Sequence, residues 1–259
     1  MYATERQGLI ERLLADEGRV SVVALARRFE VTTETVRRDL DLLEQAGALR
    51  RVHGGAVQNE RASTTEPSLG ERTLRRAPAK AAIALRALDA LGDGFHGSVF
   101  FDAGTTTAAV AAQLAPRLTS SRIDVVTHAL PLANALAAVP QVSLSVIGGR
   151  VRPLTEAAVG ADTVRAIASL RPDVAFLGTN GLSAGFGAST PDPDEAAVKT
   201  AIVRSARRVV LVADAEKLGR ELLVSFAALD DIDVLVTDAA PDAALAAAID
   251  EAGVQLWLA

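Results

Sequence analysis

The stretch Val31-Thr32-Thr33-Glu34-Thr35-Val36-Arg37-Arg38-Asp39-Leu40 decides the fold of the N-terminal part of the chain. Its apolar residues Val36 and Leu40 lie one helical turn apart, and Thr32 or Thr33 is a suitable N-cap. Hydroxyl and arginine side chains occupy the remaining faces. The stretch therefore predicts an amphipathic helix with a polar, basic outer surface.

Two shorter helical patterns precede this stretch. The first has its apolar residues at helical spacing and ends at a glycine stop signal: Leu9, Ile10, Leu13, Leu14 and then Gly18. The second has Ser21 as a suitable cap and the apolar residues Val23, Leu25, Ala26 and Phe29. Three short helices with a tight turn before the third predict a helix-turn-helix, whose last helix enters the major groove of DNA.

A short hairpin pattern follows the third helix, which Gly47 is expected to end. Residues 48–52 read as a strand, His53-Gly54-Gly55 as a tight turn, and residues 56–57 as the returning strand. The two glycines permit positive φ at the tip and a close approach of the backbone to DNA. We therefore expect a winged helix-turn-helix over residues 1–57.

Basic and hydroxyl side chains gather on the predicted recognition helix and wing. Arginine binds phosphate and the edge of guanine, whereas Asp39 and Asp41 are expected to orient neighbours because phosphate repels carboxylates. An ordinary helical domain with a solvated basic hairpin is the alternative. The predicted DNA-binding residues are Thr33, Thr35, Arg37, Arg38, Arg50, Arg51 and His53.

The composition limits the classes of protein to which the chain can belong. The 259 residues are 49% hydrophobic, contain no cysteine and carry a net charge of −5. These values exclude disulfides and thiolate chemistry, and they argue against general polyanion binding by the whole chain. Neither a secretory signal nor a bilayer-spanning stretch is recognisable, so we expect a cytoplasmic protein without membrane contact.

The rest of the sequence predicts a linker and a larger α/β domain. Residues 58–78 are polar and interrupted by prolines, which indicates a linker, and residues 79–259 form the second domain. Apolar strands alternate there with helices, which predicts a parallel sheet covered on both faces. The strands are expected at 98–101, 123–126, 142–147, 174–177, 209–212, 234–236 and 254–258.

Polar residues follow several of these strands, at the sheet edge where ligands bind in such folds. Asp102-Ala103-Gly104-Thr105-Thr106-Thr107 leads from a strand into a helix, whose free N–H groups and dipole suit a phosphate group. A capped turn without a ligand is the alternative. The predicted ligand-binding residues are Asp102, Gly104, Thr105, Thr106, Thr107, Thr127, His128, Arg152, Lys199 and Lys217.

Other readings of the charged residues stay open. Arg152 is equally well explained as a surface arginine, and Lys199 is placed to pair with Glu195 one turn earlier. Asp192 before Pro193 fits a helix cap. No metal site and no cofactor is predicted.

The chain resembles the DeoR/GlpR family of bacterial regulators along nearly its whole length. The likeness lies in the 31–40 stretch, in Arg51-Val52-His53-Gly54-Gly55-Ala56, in the 102–107 loop and in the 214–217 loop. It implies a repressor that binds operator DNA as a homodimer or homotetramer. It also implies a sensor domain folded like ribose-5-phosphate isomerase, with a phosphorylated sugar as the effector.

Two details of the resemblance bear on the effector. Relatives usually have asparagine where this chain has His128, which affects the ligand preference of that loop. The pattern is most similar to that of regulators of fructose phosphotransferase operons, which implies fructose 1-phosphate.

The alternative is a sugar-phosphate isomerase that carries a DNA-binding module, with Asp102, Asp192, Asp194 or Glu195 as its general base. No carboxylate stands out among these four, and the histidines are scattered. The sequence therefore favours a regulator over an enzyme.

Overall fold

The computed structural model describes residues 3–45, 48–58, 63–118 and 122–259. Gly47, the expected end of the third helix, lies outside these residues. Contacts divide the chain into two compact units, residues 1–62 and 63–259, and each unit is described by itself.

The first unit consists of three helices and a small antiparallel sheet with the strand order β1-β3-β2. The buried core of this unit includes Ile10, Leu25, Val36 and Leu40. Its elements are α1 Ala3–Glu17, β1 Arg19–Ser21, α2 Val22–Phe29, α3 Thr33–Gln45, β2 Leu49–Val52 and β3 Gly55–Gln58. The predicted winged helix-turn-helix is present.

The caps and inward residues of the two short helices differ in detail from the sequence prediction. Thr32 caps α3, because its Oγ1 accepts the N–H of Thr35 at 3.1 Å. Ser21 occupies the N-cap position of α2, but its side chain makes no capping hydrogen bond. The expected inward residue Val23 is 62% exposed, and Val22 is buried in its place. The helix begins at Val22, one turn before Leu25 and Ala26, so only the first position of the predicted apolar face changes.

The two glycines of the wing have different roles, and only one of them matches the prediction. Gly54 has a φ of +82° and forms the tip of the turn. Gly55 lies within β3 and pairs with Ser21 of β1. A Cβ atom at Gly55 would lie 2.0 Å from the carbonyl oxygen of Val20, so glycine is required for the approach of β1. The sequence did not predict β1 as the third strand of this sheet.

The second unit is built on a seven-stranded parallel sheet with the strand order β15-β14-β12-β9-β4-β5-β6. All seven strands were predicted within two residues of their bounds. They are β4 Ser98–Phe101, β5 Ile123–Thr127, β6 Val142–Val146, β9 Val174–Gly178, β12 Val209–Val212, β14 Val234–Thr237 and β15 Gln255–Leu258.

Helices cover both faces of this sheet, as the apolar strands predict. Phe101 and Phe176 belong to the core on one face, whereas Phe100 and Leu177 belong to the core on the other. The helices are α4 Leu69–Leu74, α5 Ala77–Ala87, α6 Thr105–Ala112, α7 Leu114–Arg117, α8 Leu130–Leu136, α9 Ala161–Ala168, α10 Pro193–Ser205 and α11 Ala243–Glu251.

Two small antiparallel sheets complete the second unit, and the sequence did not predict them. One is the pair of β7 Arg150–Arg152 and β8 Ala157–Val159. The other contains β10 Gly181–Ser183, β11 Gly187–Thr190 and β13 Val224–Ala227. Most of their residues are buried and do not alternate between polar and apolar, so the pattern of a half-buried strand is missing.

The described part of the predicted linker packs on the second unit. We call residues 63–80 the connecting segment. A backbone hydrogen bond joins it to the rest of the unit: the N–H of Leu223 donates to the carbonyl oxygen of Ser63 at 3.1 Å. Ser68 and Glu71 form a capping box at the start of α4. The side chain of Glu66 is only 1% exposed. These residues therefore belong to the folded second unit, in which α5 already begins at Ala77.

Candidate functional sites

The outer face of α3 presents the predicted polar residues to solvent. Thr33, Arg37 and Arg38 are exposed. Both arginines lie near Glu34, at nitrogen–oxygen distances of 3.6 and 3.7 Å. Exposed ion pairs of this length contribute little to stability, so both guanidinium groups are free to exchange Glu34 for another anion.

Thr35 is half-buried, and its hydroxyl lies 2.9 Å from that of Thr32. Thr35 therefore strengthens the helix cap as well as flanking the exposed face.

The predicted DNA-binding residues of the wing lie in two different environments. Arg50 and His53 are exposed. Arg51 is half-buried: its guanidinium pairs with Asp41, and its backbone N–H donates to Glu44 at 2.7 Å. Arg51 thus attaches the wing to α3, a role that the sequence did not reveal.

The buried pair of Arg6 and Asp39 fixes α1 against α3. The Nε atom of Arg6 donates to Asp39 at 2.5 Å, and a second bond of 3.1 Å makes the pair bidentate. Asp39 therefore orients a neighbour, as expected.

A cleft opens in the second unit where β5, β4, β9 and β12 end. The loops after these adjacent strands carry His128, Asp102, Thr179 and Asp214 respectively. The cleft encloses a volume of about 50 Å³. Seven predicted ligand-binding residues line it: Asp102, Gly104, Thr105, Thr106, His128, Lys199 and Lys217.

Asp102 forms a buried network at the base of this cleft. Its carboxylate pairs with Lys199, lies 3.1 Å from Nε2 of His128 and accepts the N–H of Gly178 at 3.0 Å. Burial raises the pKa of Asp102, but Lys199 and His128 outweigh burial and lower it overall. The carboxylate is therefore held ionised and fully coordinated. Lys199 pairs with Asp102 and not with Glu195, which corrects the spacing-based reading.

The N-terminus of α6 faces the cleft with its first residues. The first backbone bond across this turn runs from Ala108 to the carbonyl oxygen of Gly104 at 2.9 Å. The preceding N–H groups point toward the N-terminal end, where an anion is favoured. The predicted phosphate-binding loop therefore has free N–H groups with which it can bind an anion.

Three predicted residues do not line the cleft. The hydroxyl of Thr107 donates to the carbonyl oxygen of Gly104, and that of Thr127 donates to Phe101, both at 2.8 Å. Arg152 pairs with Glu66, Asp192 and Glu195 at 2.8 to 3.2 Å. All three residues are engaged with the protein itself, so they shape the loops rather than face a ligand.

The cleft also contains residues that the sequence did not indicate as ligand-binding. They are Arg72, Arg75, Lys80, Thr155 and Asn180. The first three come from the connecting segment, and Thr155 follows β7. A helix with a capping signal at Ser68 and Glu71 was recognisable from the sequence, but its position beside strands far along the chain was not.

Two negative findings limit the chemistry of the described residues. They contain no group of three or more His, Asp or Glu side chains that could hold a metal ion. None of the described helices has the length and apolar character that a membrane span requires.

Comparisons with known families match both units. Residues 6–62 match the DeoR-like helix-turn-helix domain, and residues 75–239 match the DeoR C-terminal sensor domain. Ribose 5-phosphate isomerase A from Methanocaldococcus jannaschii resembles this chain with a TM-score of 0.39 and 15% identity, over 54% of this chain and 53% of that chain.

Several regulators match over almost their full length. The transcriptional regulator GlpR of Haloferax volcanii is 39% identical over 98% of this chain and 97% of its own. The glycerol-3-phosphate regulon repressor of Escherichia coli is 30% identical over all of both chains. FruR of Bacillus subtilis, an uncharacterised transcriptional regulator, is 33% identical over 92% of each. The chain belongs to the DeoR family of helix-turn-helix transcriptional regulators.

Proposed function

We propose that this protein is a sequence-specific repressor of an operon for sugar or glycerol phosphate metabolism, released from DNA by a phosphorylated effector. The observation that carries the proposal is the combination of two sites in one chain. An exposed basic surface lies on α3 and the wing, and a cleft rich in cations lies at the carboxyl edge of the parallel sheet.

The DNA-binding part rests on the exposed arginines of the first unit. Arg37, Arg38 and Arg50 are exposed, and His53 stands at the tip of the wing. Thr33 at the start of α3 adds a hydroxyl suited to a phosphate or base edge. Arg51 supports the wing through Asp41, so its effect on DNA binding would be indirect.

Replacing Arg38 with alanine tests this surface. We expect specific binding to DNA from upstream of the protein's own operon to weaken by about 1–3 kcal/mol if Arg38 contacts a base. Arg12→Ala, an exposed arginine on α1, is the matched control. Fluorescence anisotropy at moderate salt measures the affinity for the upstream DNA and, for comparison, the affinity for an unrelated duplex. Equal affinity of the wild type for both duplexes would refute the proposed function.

The effector part rests on the charge of the cleft. Five cationic side chains and three carboxylates line it within the described residues, so an excess of two positive charges faces the ligand. A phosphate group carries close to two negative charges at neutral pH. The glycerol-3-phosphate regulon repressor supports the same class of ligand by its name. Fructose 1-phosphate remains our first choice within this class.

A thermal-shift screen identifies the effector. Fructose 1-phosphate and glycerol 3-phosphate are compared with unphosphorylated fructose and glycerol. A ligand present at 100 times its Kd stabilises the folded protein by about 2.7 kcal/mol. We expect a phosphorylated compound to raise Tm and, at the same concentration, to lower the affinity for the operator. A compound that raises Tm and strengthens operator binding would reverse the proposed direction of control.

The candidate general bases support a sensor more than an enzyme. Asp102 is coordinated by Lys199 and His128, and Glu195 is paired with Arg152. Asp192 caps α10 by accepting the N–H of Glu195 at 3.0 Å. Each of these groups already has a structural role, which disfavours it as a free general base. We further propose that a homodimer or homotetramer places paired recognition helices on an operator in the cytoplasm.

A further inference from the structure

The wall of the cleft contains buried hydrogen-bonding atoms that have no partner among the described residues. The side-chain oxygen of Thr155 is one, in a residue only 4% exposed. The Nε and Nη2 atoms of Arg72 are two more, although its Nη1 donates to Glu66 at 2.8 Å. Buried polar atoms of this kind are rare because losing water without a replacement is costly. These three atoms therefore need an acceptor from outside the protein.

Lys217 adds an uncompensated charge to the same cleft. It is half-buried, and no carboxylate lies within ion-pair distance of it among the described residues. Burial lowers the pKa of Lys217 to about 8; Asp214 and Glu216 oppose this shift, whereas Arg220 and Arg75 reinforce it. Burial in the cleft therefore disfavours the charged form of Lys217.

The carboxylates that line the cleft cannot serve these donors. Asp102 and Glu195 are engaged as described above. Asp214 accepts the N–H of Glu216 at 3.1 Å and lies 3.8 Å from Arg76. None of these carboxylates lies within hydrogen-bonding distance of the unpartnered atoms of Arg72 and Thr155.

Lys80 explains how the arginines are held in position. Its amino group donates to the carbonyl oxygens of Arg72 and Arg75, at 2.8 Å in the second case. Lys80 therefore ties the end of α4 to α5 and adds a positive charge beside both arginines. Burial, opposed by Asp214 and reinforced by Arg72, lowers the pKa of Lys80. Lys80 therefore holds the backbone from which both arginine side chains extend into the cleft.

We propose that Arg72, Thr155 and Lys217, with Arg75 and Lys80 beside them, form a subsite for the dianionic phosphoryl group of the effector. This inference rests on the proposed function and deepens it. A phosphoryl group offers several acceptor oxygens, and arginine binds such a group through two parallel hydrogen bonds. Because the arginines belong to the connecting segment, the bound group joins that segment to the sensor sheet. The segment follows the DNA-binding unit directly in the sequence, so an effector that binds the segment can influence that unit through the chain.

Two substitutions test the subsite with inorganic phosphate as the probe. Lys217→Met removes the charge and keeps the length of the side chain. Thr155→Val removes only the unpartnered hydroxyl. We expect phosphate to bind about tenfold more weakly to the first variant and about threefold to tenfold more weakly to the second. Arg165→Gln is the matched control, since Arg165 is a 72% exposed cation on α9. Phosphorus NMR titration of the full chain measures the affinity.

Hydrogen exchange completes the test. Phosphate should protect the amides of residues 63–80 in the wild type and in the control, and not in Lys217→Met. The removed hydroxyl of Thr155 has no partner, so Thr155→Val should fold at least as stably as the wild type without phosphate. Unchanged phosphate affinity in both variants would overturn the subsite. Lost affinity without any wild-type protection of residues 63–80 would overturn the role of the connecting segment. Failure to prefer the operator would instead refute the proposed function, whatever the phosphate result.

Discussion

At the scale of single residues, the network around Asp102 buries two opposite charges at the base of the cleft. Asp102 has no exposed surface, and Lys199 is 5% exposed. Removing one member of such a pair leaves the other charge buried and uncompensated, which costs about 3–5 kcal/mol. The pair therefore constrains the base of the cleft whether or not a ligand is bound.

Asp102→Asn should lower the free energy of unfolding by about 3–5 kcal/mol, because Lys199 loses its counter-charge. The double variant with Lys199→Met should recover part of this loss. The net pKa of Asp102 is lowered in the folded state, so its contribution is present above the unfolded pKa near 4 and is lost as pH falls below it. Urea denaturation at pH 7 and pH 3 measures both effects. Additive losses in the double variant would contradict the pairing.

Lys217 should show a pH dependence of the same sign as that of Asp102, but in an alkaline window. Its folded pKa of about 8 lies below the ordinary value of 10.5, so the unfolded chain binds more protons between these values. The stability of the wild type should therefore rise with pH across this window. Lys217→Met should be more stable than the wild type at pH 7, and the difference should shrink by pH 10. Tm measured without phosphate at each pH tests this; a constant difference would contradict it.

At the scale of elements, the wing depends on a contact that only glycine allows. Gly55→Ala would place its Cβ atom 2.0 Å from the carbonyl oxygen of Val20 and force β1 away from β3. Gly54→Ala meets no atom within 4 Å and carries only the strain of a positive φ, about 1 kcal/mol. Gly55→Ala should destabilise the first unit more and speed hydrogen exchange in β1. Equal effects of the two substitutions would contradict this assignment.

Regular elements were predictable where the pattern was strong. The seven parallel strands are apolar and separated by helical patterns, so their order in the sequence was sufficient to find them. The strands β7, β8, β10, β11 and β13 are short, and most of them lack a continuous apolar run, so the sequence did not mark them as strands. The loops of the cleft were predictable because parallel strands end at one edge. Arg72 and Thr155 were not, because contacts between residues far apart in sequence bring them there.

At the scale of the whole molecule, charge is divided unevenly between the two units. Residues 1–62 contain ten arginines and ten acidic side chains, so the net charge of −5 belongs to residues 63–259. The negative overall charge is therefore compatible with a basic surface on the first unit, which is neutral as a whole. Binding to DNA must rely on a few placed arginines rather than on general attraction.

This distribution predicts a moderate salt dependence. If Arg37, Arg38 and Arg50 each neutralise one phosphate, the logarithm of the operator affinity should fall with the logarithm of salt with a slope of about −2.7 per DNA-binding unit. Anisotropy titrations between roughly 50 and 200 mM KCl measure this slope. A slope twice as steep per unit would mean that many further cations contact DNA.

The buried carboxylate of Glu66 determines where such a regulator can be joined to a foreign DNA-binding domain. The match to the sensor family begins at residue 75, which suggests a junction there. Such a chimera would lack Glu66 and Arg72 and would leave Arg152 without one of its carboxylate partners. A junction at residue 62 keeps the whole segment. Hybrid regulators spliced at residue 62 should therefore keep their response to the proposed effector, whereas those spliced at residue 75 should lose it.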